Sequence, residues 1–336
     1  MLSEHGFFTL RFGNPDVMDN LDGVLARLAE RLGELPERWA QSPTTPRPPP
    51  LKRRGSVSEA IREAAQRLAA TSDTARLDAE LLMAHALGVS RSDMLLRCMA
   101  DPAPAAFAAL VERRAGHEPV AHILGSQEFF GRPFAVTPNV LIPRGDSESV
   151  VEAALAAAPG ARRVLDLGTG SGALLLTLLA ELPEASGVGI DASAPALQVA
   201  QANAEALGLA GRADLRPGDW TMPGWADGLG RFDLVIANPP YVEDDAELSP
   251  DVRDHEPAGA LFAGPEGLDD YRVLVPRLPA LLVPGGVAVL EIGHRQARAV
   301  SEIAAQASFV ASVHPDLAGR DRALVLRQKA WQSQFE

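Results

Sequence analysis

Short strand-like segments at 163–167, 187–190, 213–216, 232–237, 286–292, 308–313 and 322–327, most of them largely apolar, alternate with longer stretches at 194–207, 268–282 and 295–307. In those longer stretches the apolar positions recur every three or four residues. A further stretch, 174–182, is apolar except for Thr177 and Glu181. Runs of the first kind predict buried strands and stretches of the second kind predict helices. Strand and helix in alternation predict a doubly wound, seven-stranded, mostly parallel sheet, whose ligands bind outside the carboxyl ends of the strands at the point where strand order reverses.

Upstream the pattern changes. Val57, Ala60, Ile61 and Ala64, then Leu77, Leu81, Ala84 and Leu87, then Phe107, Leu110 and Val111 repeat at helical spacing, which predicts a small helical domain over 56–118. Residues 119–137 carry Phe129, Phe130 and Phe134 around Gly131 and are read as a hairpin linker to a main domain at 138–328. His117 and His122 are read as helix-end and linker residues. Of the first 55 residues, 21–35 could form a short amphipathic helix. The segment 41–55, with Pro46, Pro48 to Pro50 and Lys52-Arg53-Arg54, reads as an extended, disordered linker; an alternative for this extension is a start codon assigned upstream of the true one. Residues 329–336 are expected to fray.

Two motifs give this frame its chemistry. The strand 163–167 runs into Gly168-Thr169-Gly170-Ser171-Gly172, a turn where absent side chains let a ligand approach the backbone. About twenty residues on, the next strand ends in Asp191. An acid there can accept both hydroxyls of a ribose, or else cap the following helix. The run 232–237 ends in Asn238-Pro239-Pro240-Tyr241. Two prolines fix φ and remove two N–H donors, so the strand must stop. The Asn238 carboxamide and the Pro239 carbonyl can then accept both hydrogens of a planar amide or exocyclic amine, with Tyr241 offering an aromatic surface. Alone, the tetrapeptide reads equally as a stiff turn; beside the glycine turn it points to transfer of a group onto nitrogen.

With these residues in view, the chain resembles the S-adenosylmethionine-dependent glutamine N5-methyltransferases of the HemK/PrmC type, which modify peptide chain release factors. The likeness spans about Ser56 to Gln328. It includes Arg114-Ala115-Gly116-His117-Glu118-Pro119-Val120-Ala121-His122-Ile123-Leu124-Gly125, Glu128-Phe129-Phe130-Gly131, Val140-Leu141-Ile142-Pro143-Arg144, His255-Glu256-Pro257 and Tyr271-Arg272. After Arg144 the family usually has Pro-Glu-Thr-Glu, where this chain has Gly145-Asp146-Ser147-Glu148. The resemblance implies a Rossmann-like class I methyltransferase in which the first and fourth strands are neighbours, so that cofactor and acceptor meet in one crevice. It implies that S-adenosyl-L-methionine binds at Gly168, Thr169, Gly170, Ser171, Gly172, Asp191, Trp220 and Asn238, with Trp220 stacking on adenine and Asp166 orienting the loop. Asn238, Pro239, Pro240 and Tyr241 become the catalytic and substrate-binding residues. The acceptor becomes the glutamine of the Gly-Gly-Gln motif in class I release factors, and the helical domain becomes a docking module.

Composition narrows the alternatives. The 44 acidic residues outnumber 31 basic ones, for a net charge of −13, so the excess of positive charge that phosphate binding favours is missing and DNA adenine methylation is disfavoured. A ribosomal-protein glutamine is the nearer alternative acceptor, and a noncatalytic release-factor-docking chain the remote one. One cysteine, Cys98, rules out an intramolecular disulfide framework. The seven histidines show no ligand spacing for a metal, and no metal is expected. No apolar run is long enough to cross a bilayer and the first sixteen residues lack the layout of a signal peptide, so a cytoplasmic monomer with no membrane partner is expected.

Overall fold

The computed structural model describes residues 55–329. The helix expected at 21–35, most of the proline-rich segment and all but the first residue of the tail lie outside them.

The helical part begins with α1 (Val57–Leu68), opened by a capping box in which the Ser56 hydroxyl accepts from the Glu59 amide while the Glu59 carboxylate accepts from the Ser56 amide. It continues with α2 (Ala75–Leu87) and α3 (Phe107–Ala115). The buried face of α2 differs from the one expected. Ala79, Leu82, Met83 and Ala84 are buried, whereas Leu77 is 41% exposed. The reason is a pair of acids that the apolar pattern hides: Asp78 and Glu80 turn inward because arginines, one of them thirty-six residues away, meet them. Arg114 Nε donates to Asp78 Oδ2 at 2.7 Å, helped by the Ser72 and Thr74 hydroxyls. Arg76 and Arg91 close on Glu80 and hold its carboxyl below the usual range despite its burial.

The span 119–137 is not hairpin alone. It starts with a one-turn helix, α4 (Val120–Leu124), whose Ile123 joins the helical-domain core. His122 therefore sits in a helix, buried, with its pKa lowered chiefly by desolvation. The hairpin follows as β1 (Ser126–Phe129) and β2 (Arg132–Ala135). Its two turn residues, Phe130 and Gly131, have φ of 51° and 72°, the twist that matches tightly paired strands. Phe129 and Phe134 meet edge to face at 6.1 Å and enter the core on one face of the main sheet.

The main domain runs α5 (Glu148–Ala157), β3 (Arg163–Leu167), α6 (Ala173–Glu181), β4 (Ser186–Asp191), α7 (Ala194–Ala206), β5 (Ala213–Pro217), β6 (Phe232–Ala237), α8 (Asp269–Leu274), β7 (Leu282–Glu291), α9 (Ala297–Gln306), β8 (Phe309–Pro315) and β9 (Asp321–Gln328). The strands lie in the order β5-β4-β3-β6-β7-β9-β8, parallel except for β9, which is antiparallel to both neighbours. The seven-stranded, mostly parallel sheet read from the sequence is thus present, with the first and fourth strands paired. The helix expected over 268–282 is broken into three short pieces, because Pro276 and Pro279 cannot donate to the preceding turn. Alternate residues of β3 and β6 feed cores on opposite faces: Val164, Leu234 and Ile236 on one, Leu165, Leu167 and Val235 on the other. Helices cover both faces, which is why the strands read as continuous apolar runs.

The Arg114–Asp78 pair, with side chains 7% and 6% exposed, generates a test. Arg114→Met leaves Asp78 as a buried carboxylate without its cation, and urea unfolding should show a loss of about 3 kcal/mol.

Candidate active site

Register sets the site. Leu167 pairs with Ile190 on one side and with Ala237 on the other, and Ala237 pairs with Leu290. The residues that come next, Asp191, Gly168, Asn238 and Glu291, therefore stand in one row along the carboxyl edge of four adjacent strands. A cavity of about 470 Å³ opens above this row. Gly168, Thr169, Gly170, Ser171, Asp191, Trp220, Asn238 and Pro240 form part of its wall; Gly172, Pro239 and Tyr241 do not. Gly172 instead starts α6 at φ 81°, where a Cβ would come within 2.9 Å of Leu176.

The glycine loop is fixed from below and from the side. The amides of Gly168 and Thr169 both donate to the Ile190 carbonyl at 2.9 Å. Asp191 accepts from the Gly170 amide through Oδ2 and from the Ser193 amide through Oδ1, each at 2.8 Å. Capping of α7 falls to Ser193, whose hydroxyl accepts from the Ala196 amide, so Asp191 is not the helix cap. Buried Asn203 ties the loop to the hairpin, donating to the Ser171 and Ala135 carbonyls and accepting from the Ala135 amide. Beneath the loop, Asp166 accepts from the Thr169 hydroxyl at 2.7 Å and takes no part in the cavity wall. Burial, reinforced by Asp191, pushes its carboxyl up to about 7.

Trp220 closes the far wall. Its ring lies so close to Gly168 that a Cβ there would meet Cη2 at 3.0 Å. Its Nε1 donates to Asp270 Oδ1 at 2.5 Å, and burial raises the Asp270 carboxyl. Two constraints thus fix the indole plane at the cavity. A third wall comes from 139–144 and 257–260, joined by buried Glu256, which accepts from the Ile142 amide and pairs with Arg144.

At the end of β6, no hydrogen bond among the described residues engages the Asn238 carboxamide or the Pro239 carbonyl. Pairing resumes only at Val242, which exchanges hydrogen bonds with Leu261 and Ala263. Tyr241 turns away from the cavity, its hydroxyl donating to Glu291 Oε1 at 3.4 Å; burial raises its pKa strongly. Sequence reasoning missed Glu291, Gln296, Arg322 and Asp270. Only Glu291 left a signal, an acid closing an apolar run. Among the described residues no group of three or more His, Cys, Asp or Glu is placed to hold a metal ion.

The strand order, the glycine loop fixed by an acid on the next strand, and a carboxamide in the same row together define a Rossmann-like methyltransferase. Residues 59–125 match the PrmC N-terminal domain and residues 147–254 the methyltransferase small domain. The release factor glutamine methyltransferase of Cereibacter sphaeroides is 46% identical over 282 residues, covering 82% of this chain and 99% of that protein. The one of Rhodospirillum rubrum is 43% identical over 264 residues, covering 76% and 79%, and that of Caulobacter vibrioides 44% over 264 residues, covering 75% and 89%. The chain belongs to the release factor glutamine methyltransferase family.

The elevated Asp166 carries a pH signature. Its folded-state pKa of about 7 lies above the unfolded value of about 3.9. The stabilisation from the bound proton is therefore complete below about pH 4 and is lost as pH rises through about 7. Asp166→Asn should flatten the fall in unfolding free energy between about pH 5 and pH 8, by roughly 2–4 kcal/mol, in denaturant titrations at the two pH values.

Proposed function

We propose that the protein transfers a methyl group from S-adenosyl-L-methionine to the side-chain amide nitrogen (N5) of the glutamine in the Gly-Gly-Gln motif of class I peptide chain release factors. The observation that carries the reading is the unengaged Asn238 carboxamide, one strand away from a glycine loop whose acid is already oriented. Family membership supports the glutamine acceptor over DNA adenine, and the release factor over a ribosomal protein. Action on translation factors accords with a cytoplasmic location, and no helix among the described residues is long and apolar enough to cross a membrane.

The cavity has the volume of a small-molecule site, and its wall suits the cofactor part by part. Gly168 and Gly170 leave the backbone bare, Asp191 presents a fixed carboxylate, and Trp220 presents an indole face. When bound, the cofactor supplies an electrophilic methyl group. The protein's task is then geometric. An amide nitrogen is a poor nucleophile because its lone pair is delocalised. Asn238 Oδ1 accepts one N–H of the glutamine amide and the Pro239 carbonyl accepts the other, which fixes the amide plane so that the nitrogen lone pair is held toward the methyl group in a near-attack geometry. The proton leaves after transfer, when methylation has made it acidic, so no strong base is needed.

Labelled S-adenosylmethionine, offered with a class I release factor, its Gly-Gly-Gln glutamine-to-alanine variant, ribosomal protein and unmethylated duplex DNA, tests the reading. Label is expected on the release factor and absent from the alanine variant; label only on ribosomal protein or DNA would overturn the acceptor assignment. Asn238→Ala is expected to lower turnover by about 10²–10³ with cofactor affinity, measured by calorimetry, close to wild type. Near-wild-type turnover in that variant would overturn the mechanism.

A further inference from the structure

Behind the cavity wall, Tyr241 is held at both ends by one short segment that begins at the last residue of β7. Glu291, 1% exposed, accepts from the Tyr241 hydroxyl at 3.4 Å. Arg322, at the start of β9, brings Nη1 to 3.4 Å from the same hydroxyl and 4.0 Å from Glu291 Oε1. Five residues on, Gln296 grips the other end: Nε2 donates to the Tyr241 and Gly267 carbonyls, each at 3.0 Å, while Oε1 accepts from the Gly293 amide at 3.0 Å. The backbone is shaped for this grip. A Cβ on Gly267 would collide with the Tyr241 carbonyl, and one on Gly293 would come within 2.7 Å of Gln296 Oε1.

The fold does not need a charge there. Neighbouring Val287, Ala288, Val289, Leu290 and Ile292 are apolar and buried, and an apolar residue at 291 would extend the same core without the desolvation cost of a carboxyl. Burial raises the Glu291 carboxyl, and the Ser147 hydroxyl, the Arg322 guanidinium and the Tyr241 hydroxyl oppose that rise. A costly polar group whose side-chain surroundings are a site tyrosine, the arginine that touches the same tyrosine and Ser147 of the cavity wall points to the site rather than to stability.

We propose that Glu291 and Gln296 are positioning residues: Glu291 holds the Tyr241 phenol, Gln296 holds its backbone carbonyl, and together they set the angle at which the Asn238-to-Tyr241 turn meets the acceptor amide. The proposal rests on the methyl-transfer reading. Neither residue touches the cavity, so each acts through Tyr241.

The test uses the full chain with a class I release factor, and compares Glu291→Met, which removes the acceptor, Tyr241→Phe, the double variant and Gln296→Met for kcat, KM, cofactor Kd and thermal midpoint. Each single variant is expected to lower kcat by about 10- to 100-fold with cofactor Kd within about twofold. The double variant is expected to be no slower than the slower single, because both changes break one link. Gln296→Met keeps the volume and loses both donated bonds. Losses that multiply in the double variant, kcat unchanged in Glu291→Met or Gln296→Met, or a fall in kcat matched by an equal fall in cofactor affinity each overturn the clamp. A wild-type chain that labels no glutamine overturns the methyl-transfer reading and the clamp with it; a wild-type chain that labels while the variants keep their kcat overturns the clamp alone.

Discussion

The parallel register of β4, β3, β6 and β7 is the constraint on which the rest depends. Ile190, Leu167, Ala237 and Leu290 lie side by side, so each strand delivers its next residue to the same level. A slip of one residue in β6 would carry Asn238 about 3.3 Å along the strand and would exchange its two faces, sending Leu234 and Ile236 into the core now filled by Phe232, Val235 and Ala237. Hydrophobic alternation on a sheet covered on both faces therefore fixes a polar site to within a fraction of that step. The site needs no alignment of its own; it inherits the alignment of the core.

The same logic explains what the sequence revealed and what it concealed. Strand and helix alternation is a local, periodic signal, and the central strands appear where the pattern puts them. The glycine loop and Asn238-Pro239-Pro240-Tyr241 were legible because each is contiguous and each contains residues with restricted uses. Partners supplied from far along the chain left no such trace. The buried face of α2 is set by Arg114, thirty-six residues from Asp78, and an inward acid breaks the apolar count. Gln296 reaches Tyr241 across 55 residues and Arg322 reaches it across 81. The return of the chain along β9, between β7 and β8, brings Arg322 to the site's edge, and no local pattern announces that reversal.

The reaction by positioning proposed for this site asks for acceptors that are both free and immobile, and these demands usually conflict, because a free polar group is one the structure has not tied down. The turn resolves the conflict by separating the two tasks. Pro239 and Pro240 lack N–H groups, so the chain leaves the sheet and the Asn238 carboxamide and Pro239 carbonyl are left without partners inside the protein. Rigidity is then recovered one residue later, where Tyr241 gives up both its hydroxyl and its carbonyl to fixed partners and Val242 rejoins a backbone ladder. The glycine loop is built alike: its amides are bound to Ile190 underneath and to Asp191 at the side, while the glycine backbone toward the cavity stays bare. In both motifs neighbouring groups carry the ordering cost, and the Asn238 carboxamide and the bare glycine backbone remain available to a ligand.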